Sequence, residues 1–180
     1  MTQTTNPWVS APDAAAPDDA PQADTGPVFA TPVASGDLFL AAAHGGAGVS
    51  TLLRLAPTLR EVRPRLYSGD RLVVVCRSNV TGLQAAQRVL AYLATPAAPR
   101  VVVEGLLVSS DAPGRPPRPI RDLVDLLSGA APRTWRLPWV EAWRYSAAPT
   151  EAPRAVRAVL DDLTELADGA LPSVLTNRKA

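Results

Sequence analysis

Two uninterrupted apolar runs constrain the fold of this chain more than any other feature. Leu38-Phe39-Leu40-Ala41-Ala42-Ala43 and Leu72-Val73-Val74-Val75-Cys76 leave no position for a solvent-facing side chain. As strands, both must be covered on two faces. Each run is followed by apolar residues at helical spacing. Leu52, Leu53, Leu55, Ala56 and Leu59 follow the first, with Pro57 set to shorten the helix, and Ala86, Val89, Leu90 and Leu93 follow the second. A third strand is expected over 101–109, interrupted at Glu104-Gly105, then a helix carrying Ile120, Leu123, Val124, Leu126 and Leu127. A fourth extended run covers 133–137, and a last amphipathic helix runs from about Pro153 to Ala167 with Val156, Val159, Leu160, Leu163 and Leu166. This alternation predicts an α/β fold, a three-layer and mostly parallel sheet with helices on both faces.

The flanks read differently. Residues 1–35 hold six prolines among Ala, Asp and Thr, with few large apolar side chains, so they are expected to form a disordered tail. Trp8 is the exception there, and Asn6-Pro7-Trp8-Val9 is either a linear docking motif or a segment that folds back on the domain. The domain itself is expected over 36–168, with a short C-terminal tail over 169–180.

Composition removes several functional classes. A net charge of +1 gives no field to gather nucleic acid or an anionic membrane. One cysteine and one histidine exclude an internal disulfide framework and a zinc site of the usual kind. Cys76, inside an apolar run, reads as an inert buried hydrophobe. No apolar stretch reaches the roughly 18 residues a membrane helix needs, and the N-terminus has no leader pattern, so a cytoplasmic protein is expected. Lys179 is the only lysine among eighteen Lys plus Arg. Richness in Ala, Arg, Pro and Val with almost no Lys fits a high-GC bacterial genome, an actinobacterium or its mobile elements.

The segment most informative about chemistry is His44-Gly45-Gly46-Ala47-Gly48-Val49-Ser50-Thr51, between the first strand and its helix. Glycines there let backbone amides converge on an anion at a helix start, and a hydroxyl of Ser50 or Thr51 could hold Mg²⁺. This stretch resembles the deviant phosphate loop of the ParA and MinD family of P-loop ATPases. In that family a signature lysine precedes two glycines, any residue, a glycine, a second lysine and two hydroxyl residues. Here His44 stands in place of the signature lysine, Val49 replaces the second, and Ala43 takes the place of a glycine. Leu72–Gln84 is similar to the family's fourth core strand and following helix, and Leu137-Pro138-Trp139 to the proline loop beside the nucleotide base. The resemblance spans roughly 37–168. It implies a phosphate-binding set of Gly45, Gly46, Ala47, Gly48, Val49, Ser50 and Thr51, with Ser50 as the Mg²⁺ ligand and ATP or ADP as the ligand.

The family's switch strand has no visible counterpart, since only about eleven residues separate the first helix from Leu72. Glu104 and Asp111 are the acids available to replace its metal-positioning aspartate. Four residues are accessory candidates. His44 is expected to bond the backbone rather than act as acid or base. Arg77, at the end of the second strand, is positioned either to restore the lost positive charge or to form a surface ion pair. Arg115, with Arg118 in the Pro-rich loop, is either a lid over an anion or a solvated residue. Trp139, with Trp143 and Tyr145, either stacks a base, meets a partner, or packs on the last helix.

The functional expectation is therefore a catalytically impaired, P-loop NTPase-like protein that binds or regulates. It would act as an accessory to an active ATPase or a mobile-element system, through an unspecified protein partner, without membrane or direct nucleic-acid binding. Two alternatives stand beside it: a slow ATP hydrolase with a substitute cation, and a structural interaction protein whose phosphate loop is a relic.

Overall fold

The computed structural model describes residues 37–62, 66–146 and 149–169. The expectations for 1–35, including Trp8, and for 170–180 lie outside the described residues. The elements run β1 (Leu38–Ala42), α1 (Val49–Leu55), β2 (Arg60–Glu61), β3 (Arg71–Arg77), α2 (Val80–Leu93), β4 (Val102–Ser109), α3 (Arg118–Ser128), β5 (Thr134–Leu137) and α4 (Arg154–Asp168), with a 3-10 turn at Glu141–Arg144. Five strands form one sheet in the order β2-β1-β3-β4-β5, and every pairing is parallel. The α/β class is as the apolar runs require.

The alternation of side chains along the strands divides the core in two. Leu38 and Leu40 of β1, Val73 and Val75 of β3, Leu107 of β4 and Trp135 of β5 meet Leu52 of α1 and Val156, Leu160 and Leu163 of α4. On the opposite face Val74, Cys76, Leu106 and Val108 meet Leu83, Ala86 and Leu90 of α2 and Val124 and Leu127 of α3. Val73, Val74 and Val75 are fully buried, so each contributes about 1.5 to 3 kcal/mol of hydrophobic stabilisation. Burial also pushes the Cys76 thiol up to about 12, which keeps it protonated and unreactive. Trp135 ties β5 to α4 through its indole N–H, which donates to Asp162 Oδ2 at 2.8 Å.

Two features depart from the sequence expectation, and a third follows it. The segment after α1 contains β2, whose two residues pair with Phe39 and Leu40. Both Arg60 and Glu61 are exposed, so no apolar pattern could announce this edge strand. Next, β4 is not interrupted at Glu104-Gly105. Leu72 pairs with Val103 and Val73 with Gly105, leaving Glu104 as the extra residue of a bulge. The Glu104 carboxylate accepts from Arg71 Nε at 2.6 Å. Gly105 is required there because a Cβ would stand 2.5 Å from the Trp135 ring and 2.6 Å from the Arg133 carbonyl oxygen. The third feature, a short α1, is as Pro57 led one to expect. Ala56 precedes Pro57 and takes φ −137°, outside the helical region that a following proline disfavours.

Candidate functional site

Strand order fixes where a ligand would meet this fold. The chain leaves β1 for β2 on one side, then returns to build β3, β4 and β5 on the other. The crevice at the carboxyl ends of β1 and β3 is therefore the topological switch point, where open α/β sheets bind ligands. The glycine turn follows β1 there, and Arg77-Ser78-Asn79 follows β3.

Within the turn, Gly46 (φ 79°) and Gly48 (φ 102°) occupy left-handed conformations that a β-carbon would strain. The Ala47 amide donates to the His44 carbonyl at 3.3 Å, and the Thr51 and Leu52 amides donate to the Gly48 carbonyl. The amides of Gly45, Gly46, Gly48, Val49 and Ser50 meet no acceptor among the described residues. Five donors thus remain for an anion over a stretch of six residues.

His44 and Arg77 hold this turn against β3. His44 Nδ1 donates to the Gly45 carbonyl at 2.8 Å, and Nε2 accepts the Arg77 backbone N–H at 3.1 Å. These partners require the neutral Nδ1–H tautomer and occupy both ring nitrogens, as the backbone-bonding expectation had it. The imidazole reaches β3 because position 82 is glycine. A Cβ on Gly82 would lie 2.7 Å from the Arg77 carbonyl oxygen and 2.8 Å from His44 Nε2. Asn79 caps α2 by accepting from the Gly82 amide at 2.7 Å. The Arg77 side chain then crosses the crevice, donating from Nε to the Gly46 carbonyl at 3.2 Å and from Nη1 to the Ser110 carbonyl at 3.4 Å. Neither acceptor carries a charge, and no carboxylate among the described residues pairs with Arg77.

Two hollows share Arg77 and Trp139. One, of about 180 Å³, is lined mainly by apolar groups of Leu52, Leu137, Pro138, Val140 and Trp143, with Thr51 and Gly48 at its border. The other, about 390 Å³ and open to solvent, is bordered by His44, Gly45, Gly46, Asn79, Gly82 and Asp111. Trp139 is half-buried, and its indole N–H donates to Glu141 at 2.7 Å. That bond, with one from the Tyr145 hydroxyl and the nearby Arg144, holds the Glu141 carboxyl below the usual carboxylate range. Arg144 also stands 5.9 Å from the Trp139 ring centre. Trp143 packs against the α1 and α4 side of the core, whereas Tyr145 is exposed.

Several expected site residues fall elsewhere. The Val49 side chain is 4% exposed and belongs to the core, so only its amide serves the turn. Ser50 is exposed and does not border the apolar hollow, whereas Thr51 does. Glu104 sits near the start of β4, at the opposite edge of the sheet, and is committed to Arg71. Asp111 is the acid on the correct edge, with its backbone N–H donating to Ser78 Oγ at 3.0 Å. Arg115 borders a different hollow, against α3. Gly82, Asn79 and the Ser110 carbonyl complete the crevice. A glycine inside a helical stripe was the sequence signal for the first, and a carbonyl leaves no signal. No helix among the described residues is long and apolar enough to cross a membrane.

No curated protein and no solved structure matches the chain. Residues 36–160 do match the model of a family of unknown function, DUF6668, and the chain belongs to that family.

Proposed function

We propose that this protein is a catalytically impaired, cytoplasmic binding protein of phosphate-loop type. It takes the phosphates of ATP or ADP at the glycine turn and acts beside an active ATPase through a protein interface. The observation that carries this reading is Arg77. It is a cation without a carboxylate partner among the described residues, held 3.2 Å from the Gly46 carbonyl beside five amides that meet no acceptor there. In such a site the amides receive phosphate oxygens, and Arg77 supplies the charge that Val49 lacks. Arg77 can do so with a bidentate fork that a lysine does not possess. Thr51 or Ser50 would hold Mg²⁺ through a hydroxyl. The apolar hollow falls below the roughly 300 Å³ of an ordinary ligand pocket, so a base beside Trp139 would be only partly enclosed. Without a cation at position 49 the charge developing on a γ-phosphoryl group is poorly stabilised, and turnover is expected to stay well below about one per second.

One observation favours the relic reading instead: His44 and Arg77 already lock the turn by protein contacts alone. Thermal unfolding separates the two. ATP or ADP with Mg²⁺ at a hundredfold excess over its Kd stabilises a binding protein by about 2.7 kcal/mol. Gly45→Trp places a ring in the open hollow at a position with no neighbour within 4 Å and no left-handed backbone, so it should fold and abolish that shift. Absence of any shift with ATP, ADP, phosphate or sulfate would leave the relic reading standing.

A further inference from the structure

A second concentration of uncommitted charge lies between α3 and the sheet-edge strand β5. Arg115, Arg118, Arg121 and Arg136 border one hollow of about 440 Å³ together with Asp122 and Asp125. Arg118 pairs with Asp122 at 3.6 Å and Arg136 with Asp125 at 2.7 Å, but all four of these side chains are more than half exposed. Such pairs are weakly held. Arg115 and Arg121 have no acidic partner among the described residues, and the hollow's lining keeps a surplus of two positive charges. Arg121 Nε is buried and has no hydrogen-bond acceptor. A buried guanidinium N–H left in that state is costly unless an acceptor arrives. The placement of the charge is also unfavourable in isolation. The first turn of α3 contains no acid and opens with Arg118, three residues after Arg115, where the helix end favours anions over cations.

We propose that this hollow binds a phosphate dianion, as inorganic phosphate or as a phosphomonoester group. A phosphomonoester carries about −1.5 to −2 at neutral pH, which matches the surplus, and it offers three strong acceptor oxygens to planar arginine forks. A phosphodiester carries a single charge and leaves one arginine unmatched. Arg121 is the inner contact, Arg115 closes from the loop, and Arg118 and Arg136 exchange their weak acidic partners for the ligand. This site stands independently of the glycine turn, which borders different hollows.

The test is a titration of the full chain with inorganic phosphate near pH 7.5, against chloride at matched ionic strength, followed by amide NMR shifts. Saturable shifts at 118, 120–122 and 136 are expected. Arg121→Met and Arg115→Met should each weaken them at least tenfold, and Arg77→Met should leave them unchanged. Dimethyl phosphate, a diester, should bind at least tenfold more weakly, while a phosphomonoester such as phenyl phosphate should match the free ion. No saturable response at α3 overturns the proposal, as does an equal response to chloride. A response that survives both arginine variants, or equal binding of the diester, also overturns it. Shifts confined to 44–51 would support the glycine-turn site while overturning this one.

Discussion

Strand β3 begins and ends with an arginine, and the two side chains have opposite fates. Arg71 is 5% exposed, lies 2.6 Å from the Glu104 carboxylate and donates to the Gly169 carbonyl. Beside it Asp70, also buried, accepts the Tyr67 backbone N–H. Arg77 is only partly buried and meets carbonyl oxygens, which satisfy its geometry but not its charge. Charge at the amino edge of the sheet is thus neutralised within the molecule, and charge at the carboxyl edge is oriented and left over. A neutralised, largely buried ion pair of this kind serves the fold, whereas the oriented, unneutralised cation is the one the proposed binding function would use.

Substitution at the amino edge should therefore have the largest effect on stability. Arg71→Met leaves Glu104 without its partner and should cost about 3 to 4 kcal/mol in urea unfolding. A loss below about 1 kcal/mol would erase the distinction between the two arginines. Val49→Lys comes next. It forces an ammonium toward the core cluster and should destabilise by about 2 to 3 kcal/mol. Calorimetry should show no gain in ADP affinity, and a folded variant that binds tighter would mean that the position-49 stem can reach the crevice.

Gly82→Ala sharpens the comparison from the other side, because its Cβ displaces His44 from β3. A cost of about 1 to 2 kcal/mol is expected, along with loss of whatever ligand response the wild type shows at 44–51. Arg77→Gln should be the mildest for folding. Its amide nitrogen falls near the place of Arg77 Nε and can keep the bond to Gly46, which would hold the change in stability within about 1 kcal/mol. Nucleotide affinity should nevertheless fall at least tenfold, about 1.4 kcal/mol. A variant that unfolds as readily as Arg71→Met would make Arg77 a structural residue.

How much of this was legible in the sequence depended on whether a feature is carried by side chains or by backbone. The valines of β3 and the apolar stripes of α2, α3 and α4 announce themselves, because burial selects side chains. β2 was invisible: Arg60 and Glu61 are both exposed, and their strand exists only as hydrogen bonding to β1. Glu104-Gly105 read as a break because a polar residue beside a glycine looks the same in a bulge as in an interruption. In the crevice the glycine turn was legible, since left-handed backbone calls for glycine. The partners of Arg77 were not, because any residue supplies a carbonyl. Arg115 could be read only as either a lid over an anion or a solvated residue, since which hollow it borders follows from where α3 packs and not from the loop's own residues.

The bulge in β4 has a consequence for how the chain tolerates gain or loss of single residues. Val103 packs on the α2 and α3 side, as do Leu106 and Val108 three and five positions later. An unbroken strand would send residues an odd number apart to opposite faces. Glu104 is the residue that resets this parity. Excising its codon would leave Val103 and Gly105 still opposite Leu72 and Val73, with every later side chain on its present face. A codon lost at Leu106 or Leu107 would instead turn part of the strand inside out. Of the positions in β4, the one that interrupts the apolar pattern is therefore the one whose deletion the sheet can absorb, and Arg71, left without its acid, is the residue that would register the loss.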